Sequence, residues 1–122
     1  KRCKRILKRN IMIFVYIVCK DKNEAKRIGL ELVEKKLAGC CNIFPIEAIY
    51  RWKGRIVQSK ETVLIAKSLN KNFGIIKKEV EKLHSYTTPC ILEIPIKNVN
   101  SKYLDWLKAE ARGKKISLRM FK

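Results

Sequence analysis

The sequence has little acidic charge and no apolar run long enough to span a bilayer. Its 122 residues include 11 Asp and Glu against 29 Lys and Arg, a formal net charge of +18. The longest apolar stretch, 11–19 (IMIFVYIVC), is shorter than the roughly 18 residues that a membrane-spanning helix needs. We therefore expect no membrane span and one domain, for which 47% apolar residues are enough to form a core.

The sequence also lacks the motifs of common enzyme families. It contains no G-x-S-x-G, no P-loop spacing and no defensible Ser-His-Asp arrangement. Its one histidine, His84, has no motif nucleophile near it in the sequence, which is poor support for catalysis. We expect a protein that is not an enzyme, and we name no catalytic residue.

The five cysteines are odd in number, and no pair has the C-x-x-C spacing of zinc and redox sites. We expect reduced thiols and a cytoplasmic location, or an organelle if a targeting segment precedes residue 1. The basic start followed by 11–19 has the shape of a signal peptide, but no small-x-small cleavage site follows. Removing 11–19 would also delete the best first strand of the domain.

Hydrophobic periodicity predicts alternating strands and helices. The predicted strands are 11–19, 40–52, 55–69 and 90–97, and the predicted helices are 22–38, 72–84 and 102–112. We expect Gly39 to end the first helix, Asn70 or Asn72 to cap the second, and Pro45 and Pro95 to mark edges or bulges. The order βαββαβ plus a terminal helix predicts an α+β, ferredoxin-like fold.

Two features predict self-association. The predicted strands are apolar on nearly every residue, so both faces of the sheet need cover. The hairpin formed by 40–52 and 55–69 has arms of about a dozen residues, longer than the usual strand, and would overhang a small sheet.

We expect one domain over 11–112, with a basic N-terminal extension at 1–10 and a basic C-terminal tail at 113–122.

Five segments, in order and at matching spacing, resemble the motifs of one known protein family. The stretch ending Leu37–Ile43 (LAGCCNI) is similar to the family's L-A-A-C-V-N-I, and 49–57 (IYRWKGRIV) resembles I-Y-x-W-E-G-x-[IV]. Glu61 and Lys67 fit the E-x-x-L-x-x-K-T strand loosely. The remaining segments, 84–89 (HSYTTP) and 103–107 (YLDWL), resemble H-P-Y-[ED]-V-P and Y-L-x-W-L. Together, the five segments resemble the CutA family of divalent-cation tolerance proteins.

The resemblance implies a tight homotrimer in which the long hairpins pair between subunits. It implies tolerance of divalent metals, copper especially, and an architecture like the PII signalling proteins. We therefore expect a homotrimeric divalent-cation tolerance protein that binds copper or another divalent cation. The alternative is a PII-like sensor or scaffold that binds a small ligand or partner protein without a functional metal.

Besides Gly39 and Cys41, which replace an alanine and a valine, four positions depart from the family pattern near the expected cleft. Lys53 replaces the Glu of W-E-G, Ser85 replaces the Pro of H-P-Y, and Thr87 and Cys90 replace acidic residues. Three carboxylates are thus missing near the expected cleft, which disfavours a hard cation there. Thiols remain available for a soft metal.

The candidate metal ligands are Cys40, His84, Cys19 and Cys90. For Cys40 the alternative is a small buried apolar residue, and for His84 it is a helix C-terminal histidine. Cys19 aligns with a cysteine of some relatives. The candidate cleft and interface residues are Trp52, Tyr50, Glu61, Lys67, Tyr86, Tyr103 and Trp106.

Nucleic acid is not the expected partner, although the chain is basic and RNA-recognition motifs also have the order βαββαβ. Their RNA-binding signature places aromatic residues on the third strand. The predicted third strand, 55–69, has none.

Overall fold

A computed structural model describes residues 11–113; the predicted extension 1–10 and, apart from Gly113, the predicted tail 113–122 lie outside it. The described chain forms one antiparallel sheet in the order β2-β3-β1-β4. The strands are β1 (Met12–Cys19), β2 (Cys40–Trp52), β3 (Arg55–Leu69) and β4 (Ile91–Pro95). The helices are α1 (Lys22–Glu34), α2 (Phe73–Leu83) and α3 (Ser101–Glu110). The predicted α+β, ferredoxin-like order is confirmed.

The two prolines of the sheet lie on its outer strands. Pro45 is in β2 and Pro95 is in β4, and these strands form the two edges. An edge strand tolerates proline because the missing N–H need not face a neighbouring strand. The edge prediction is confirmed for both, and pairing of β2 with β3 continues through Pro45 opposite Thr62 without a bulge.

Alternation along β1 gives the sheet two different faces. One face buries Ile13, Val15, Ile17 and Cys19 against α1 and α2. On the other face, α3 covers one end, where Leu107 packs with the buried side chains of Met12 and Leu69. The rest of this second face, which we call the open face, presents apolar side chains to solvent in a single subunit, with Phe44 40%, Leu92 50% and Ile94 38% exposed.

The first helix ends four residues earlier than predicted, at Glu34 rather than residue 38. The left-handed residue that follows it is Lys36, with φ of 57°, so Gly39 is not the helix C-cap. Gly39 is required for packing instead, because a Cβ there would lie 2.7 Å from Cδ1 of Leu107 on α3. Position 39 therefore requires glycine because of the close contact with α3, and not because it ends α1.

Asn72 is the N-cap residue of α2, as predicted, but its side chain makes no capping hydrogen bond. It is buried, and its amide donates hydrogen bonds to Ser68 Oγ at 3.1 Å and to the Ala111 carbonyl at 2.7 Å. The Ser68 hydroxyl in turn donates to the Leu37 carbonyl. This network joins the end of β3, the end of α3 and the α1–β2 connection.

None of the helices between residues 11 and 113 has the length and apolar character to cross a bilayer.

We predict that Asn72→Ala lowers the free energy of unfolding by about 1–3 kcal/mol, because it leaves buried hydrogen-bonding groups without a partner. Urea unfolding at a fixed protein concentration measures this change. Asn98→Ala, at an exposed loop position, is the matched control and is expected to have little effect. Equal stability of the two variants would contradict the role assigned to the network.

Candidate functional site

Three side chains with metal-ligand atoms meet where β1 ends. Cys19 is the last residue of β1, Glu24 lies in the first turn of α1, and His84 follows α2. One ligand atom from each lies within 4.8 Å of the other two. All three side chains are almost completely shielded from solvent, with exposures of 0–2%. We call this group the Cys19 cluster.

Hydrogen bonds define the state of His84. Its Nε2 lies 2.7 Å from the Val18 carbonyl oxygen, and its Nδ1 accepts from the Tyr86 backbone N–H at 3.0 Å. A carbonyl can only accept, so this pattern fits a neutral imidazole whose proton is on Nε2. Both ring nitrogens are therefore engaged, and a metal at Nδ1 would have to displace the Tyr86 N–H.

Glu24 is held as a buried carboxylate by backbone donors. Oε1 accepts from the Lys20 N–H at 2.8 Å, and Oε2 accepts from the Ser85 N–H at 2.7 Å. Burial acts to raise the pKa of Glu24, but the hydrogen bonds from Lys20 and Ser85 outweigh it, so the pKa is lowered. Asp21 begins the helix, accepting the Glu24 N–H at 2.9 Å, and so fixes where this carboxylate points.

Cys19 is a thiol at neutral pH. Burial, with a smaller contribution from the nearby Glu24 charge, raises the pKa of Cys19 to about 12. A thiol must lose its proton before it can act as a nucleophile or a strong metal ligand. The cluster therefore offers sulfur, nitrogen and oxygen atoms suited to a soft or intermediate cation. Binding would require Cys19 to lose its proton and His84 to lose its hydrogen bond from Tyr86.

A cavity of about 390 Å³ lies on the other side of β1 from the cluster, between the hairpin and the 84–90 loop. We call it the hairpin pocket. It is lined by Val18, Tyr50, Trp52, Glu61, Tyr86, Thr87, Thr88 and Cys90. The predicted cleft residues Tyr50, Trp52, Glu61 and Tyr86 are thus brought together around one space.

A short hydrogen bond crosses the hairpin pocket. The Tyr86 hydroxyl donates to Glu61 Oε2 at 2.7 Å. Burial, followed by the interaction with Glu61, raises the pKa of Tyr86, so this tyrosine is a neutral donor. Burial and the Glu61 charge also raise the pKa of Cys90.

The other predicted residues lie elsewhere. Cys40 begins β2, where it pairs with Lys67 of β3, and Lys67 Nζ lies 5.8 Å from the ring centre of Tyr103. Tyr103 in turn packs on Trp106 at a ring distance of 5.4 Å. Lys67 pairs in turn with Phe14 of β1, whereas His84 contacts Val18, four residues further along β1. Four strand residues span roughly 13 Å, so Cys40 and His84 are at least that far apart along the sheet. Within one subunit, only Cys19 and His84 of the four predicted ligands share a cluster.

Sequence reasoning missed Glu24. Its signal was Asp21 followed three residues later by Glu24, the spacing by which a helix start brings an acidic side chain back to the preceding backbone. The pocket residues Val18, Thr87 and Thr88 had no comparable signal, because their role depends on how the 84–90 loop packs against the hairpin.

The fold and this site can be compared with known proteins. Residues 13–110 match the family model described as CutA1 divalent ion tolerance protein. The chain belongs to the CutA1 family. The divalent-cation tolerance protein CutA of Archaeoglobus fulgidus is 45% identical over 94 residues, covering 77% of this chain and 92% of that protein. The protein of the same name from Thermotoga maritima is 40% identical over 97 residues, covering 80% and 96%.

A solved structure agrees with the family assignment. The periplasmic divalent cation tolerance protein CutA from Archaeoglobus fulgidus has a TM-score of 0.82 and 42% sequence identity to this chain. The match covers 83% of this chain and 99% of that one. The expected CutA membership and fold are therefore confirmed.

The departures from the CutA pattern concentrate at the two candidate sites. Thr87 and Cys90 line the hairpin pocket, and Lys53 Nζ lies 5.8 Å from the ring centre of Trp52. Ser85 provides the backbone N–H that binds Glu24, which a proline at this position could not do. All four of these positions therefore lie in or beside the two candidate sites.

We predict that Glu24→Gln lowers the free energy of unfolding by about 1–3 kcal/mol at pH 7, because an amide NH2 cannot accept a backbone N–H. The pKa of Glu24 is lower in the folded state than its ordinary value of 4.5, so its stabilisation is present above that pH and is lost as pH falls through the folded pKa. The difference between wild type and variant should shrink in acid. Denaturant unfolding at pH 7 and pH 3 measures it, and the exposed Glu34→Gln is the control. A difference that grows in acid would contradict this account.

Proposed function

We propose that this CutA1 family member acts by binding soft divalent or copper ions, and that the Cys19 cluster holds the ion. The observation that supports this proposal is the convergence of one thiol, one imidazole and one carboxylate within 4.8 Å. Thiolate and imidazole are ligands that copper and zinc favour. The ion is cargo in this proposal, and no catalytic step is assigned to it.

The chain's own groups would each have a defined part in binding. Cys19 would release its proton and supply thiolate, and Glu24, already ionised, would offset the charge of the ion. His84 would exchange its Tyr86 hydrogen bond for the metal through Nδ1. The closed, hydrogen-bonded arrangement favours ions that bind thiolate strongly enough to displace a proton.

We also propose that the protein binds rather than catalyses. A thiol with a pKa of about 12 is a poor nucleophile at neutral pH. His84, the only histidine, has both ring nitrogens in hydrogen bonds to the backbone. Neither group is poised for proton transfer to a substrate.

We predict that Cys19→Ala weakens copper binding at least roughly tenfold, since a thiolate ligand is lost. Competition with a copper(I) chelator measures the affinity. Cys41→Ala is the control, because this thiol is directed at the Gly29 carbonyl, 3.9 Å away, and is not part of the cluster. Unchanged affinity in Cys19→Ala would rule out the cluster. Cys40→Ala and Cys90→Ala test the two remaining proposed thiols in the same assay.

We propose a homotrimer that covers the open face. Leu92 and Ile94 lie on this face beside Phe14 and Tyr16, to which they are paired across β1 and β4. Among residues 11–113, the hairpin beyond Glu61 pairs with no strand outside itself, and on its opposite face Ile49 and Ile56 are 73% and 63% exposed. An apolar surface of this extent favours association with further copies.

We predict that Leu92→Lys disrupts the trimer, because it places a charge on the open face. Light scattering at micromolar concentration should give the mass of three subunits for wild type and a smaller mass for this variant. Leu30→Lys is the control, since Leu30 is similarly exposed at 59% but lies on α1, on the opposite side of the sheet. A monomeric wild type would refute the trimer directly.

A second candidate function is binding of a small ligand in the hairpin pocket without a functional metal. The pocket volume lies in the range typical of small-molecule sites, and polar groups converge on it. A metabolite that raises the melting temperature in the presence of chelator would support this function.

We further propose a reducing, cytoplasmic compartment, with no nucleic-acid partner. Cys19, Cys40, Cys41 and Cys90 are free thiols, as such a compartment favours. Cell fractionation with alkylation before lysis tests the compartment, and oxidised cysteines in the recovered protein would argue against it. Nucleic-acid binding that weakens with salt would contradict the second part.

A further inference from the structure

We propose that the hairpin pocket binds a small organic ammonium ion. This inference rests on the second proposed function, ligand binding in the hairpin pocket, and adds the chemical class of the ligand. Three properties of the pocket carry it: a carboxylate without a basic partner, aromatic walls, and too few hard ligands for a metal.

The carboxylate is Glu61, one of only 11 acidic residues in a chain with 29 basic ones. It is half-buried, and its one hydrogen bond from a side chain is donated by the neutral Tyr86 hydroxyl at 2.7 Å. Among residues 11–113, no Lys, Arg or His nitrogen lies within 4.0 Å of Glu61. A lining carboxylate that its own subunit does not neutralise favours a cationic ligand.

The walls of the pocket are aromatic. Tyr50 and Trp52 are two residues apart on β2 and therefore share a face, and Tyr86 approaches from the 84–90 loop. Aromatic faces attract cations through the ring quadrupole, Trp most strongly, and this attraction grows when water is excluded. A carboxylate beside several rings is the arrangement that recognises alkylated ammonium groups.

A hard metal ion fits the pocket poorly. Such ions require about six oxygen ligands, several of them anionic. The lining offers one carboxylate, the neutral hydroxyls of Thr87 and Thr88, and the Cys90 thiol, whose pKa is raised. An organic ammonium ion needs only one anionic contact, and its alkyl groups pack against apolar walls.

The chain already shows this kind of contact. The Lys53 ammonium lies 5.8 Å from the Trp52 ring centre, within the range of a cation–π interaction. Lys53 is therefore an internal competitor for a cation at Trp52. Its removal should strengthen ligand binding, an effect opposite to that of removing Glu61.

The test is isothermal titration of the full-length protein with choline chloride as the probe, in chelator. We expect binding of choline, and no binding of its uncharged isostere, in which a tert-butyl group replaces trimethylammonium. Glu61→Gln and Trp52→Leu should each weaken choline binding by about tenfold or more. Lys53→Gln should strengthen it, and Glu47→Gln, at an exposed position on β2, should leave it unchanged.

The outcomes separate the ligand class from the pocket function. Equal affinity for choline and the uncharged isostere, lost in Trp52→Leu, would overturn the ammonium assignment but leave a ligand pocket. Weaker choline binding in Lys53→Gln would also overturn it, and this variant does not depend on the fold tolerating a change at Glu61. No binding of choline, together with no metabolite that stabilises the protein in chelator, would remove both the inference and the second function.

Discussion

The antiparallel pairing of β1 with β3 determines where both candidate sites form. It runs from Met12 opposite Leu69 to Cys19 opposite Thr62, and there β1 ends while β3 continues as part of the hairpin. A shift of one residue would exchange the two faces of the sheet along the whole strand. The register therefore directs Cys19 towards α1 and Val18 towards the hairpin pocket.

The two sites share a short length of backbone. Val18 accepts from His84 through its carbonyl, donates its N–H to the Cys90 carbonyl, and lines the pocket with its side chain. Tyr86 likewise donates its N–H to His84 and its hydroxyl to Glu61. A ligand that moved the 84–90 loop would thus change the hydrogen bonds of His84, so an ion and a small molecule would not bind independently.

Local patterns predicted the elements well. Strand and helix positions, the long hairpin and the proline edges follow from periodicity and from backbone chemistry that adjacent residues determine. The end of α1 was predicted wrongly because Gly39 meets the packing demand of Leu107, which lies far along the sequence. The N-cap position of Asn72 was predicted, but the role of its side chain was not, since its partners at Ser68 and Ala111 come together only in the folded chain.

The site was only partly predictable. The sequence placed His84 among the metal ligands and Trp52 and Tyr86 among the cleft residues, but it also placed Cys90, which lines the pocket, with the metal ligands. The distinction between the pocket and the cluster depends on which face of β1 each loop residue approaches, and Glu24 enters only through its backbone donors. The location of Cys40 away from His84 likewise follows from strand register rather than from sequence distance.

Ser85 affects the Cys19 cluster through its backbone N–H, although its side chain is not a ligand. A proline here would lose the hydrogen bond to the buried Glu24 carboxylate, at a cost of about 1–3 kcal/mol. Restricting the unfolded chain would return only about 0.4–1 kcal/mol. The balance therefore favours serine over proline at this position for folding. Proline would also raise the pKa of the Glu24 carboxyl, because the Ser85 N–H is one of the donors that lower it. A substitution at a position that supplies no metal ligand can in this way change the acidity of a neighbouring ligand.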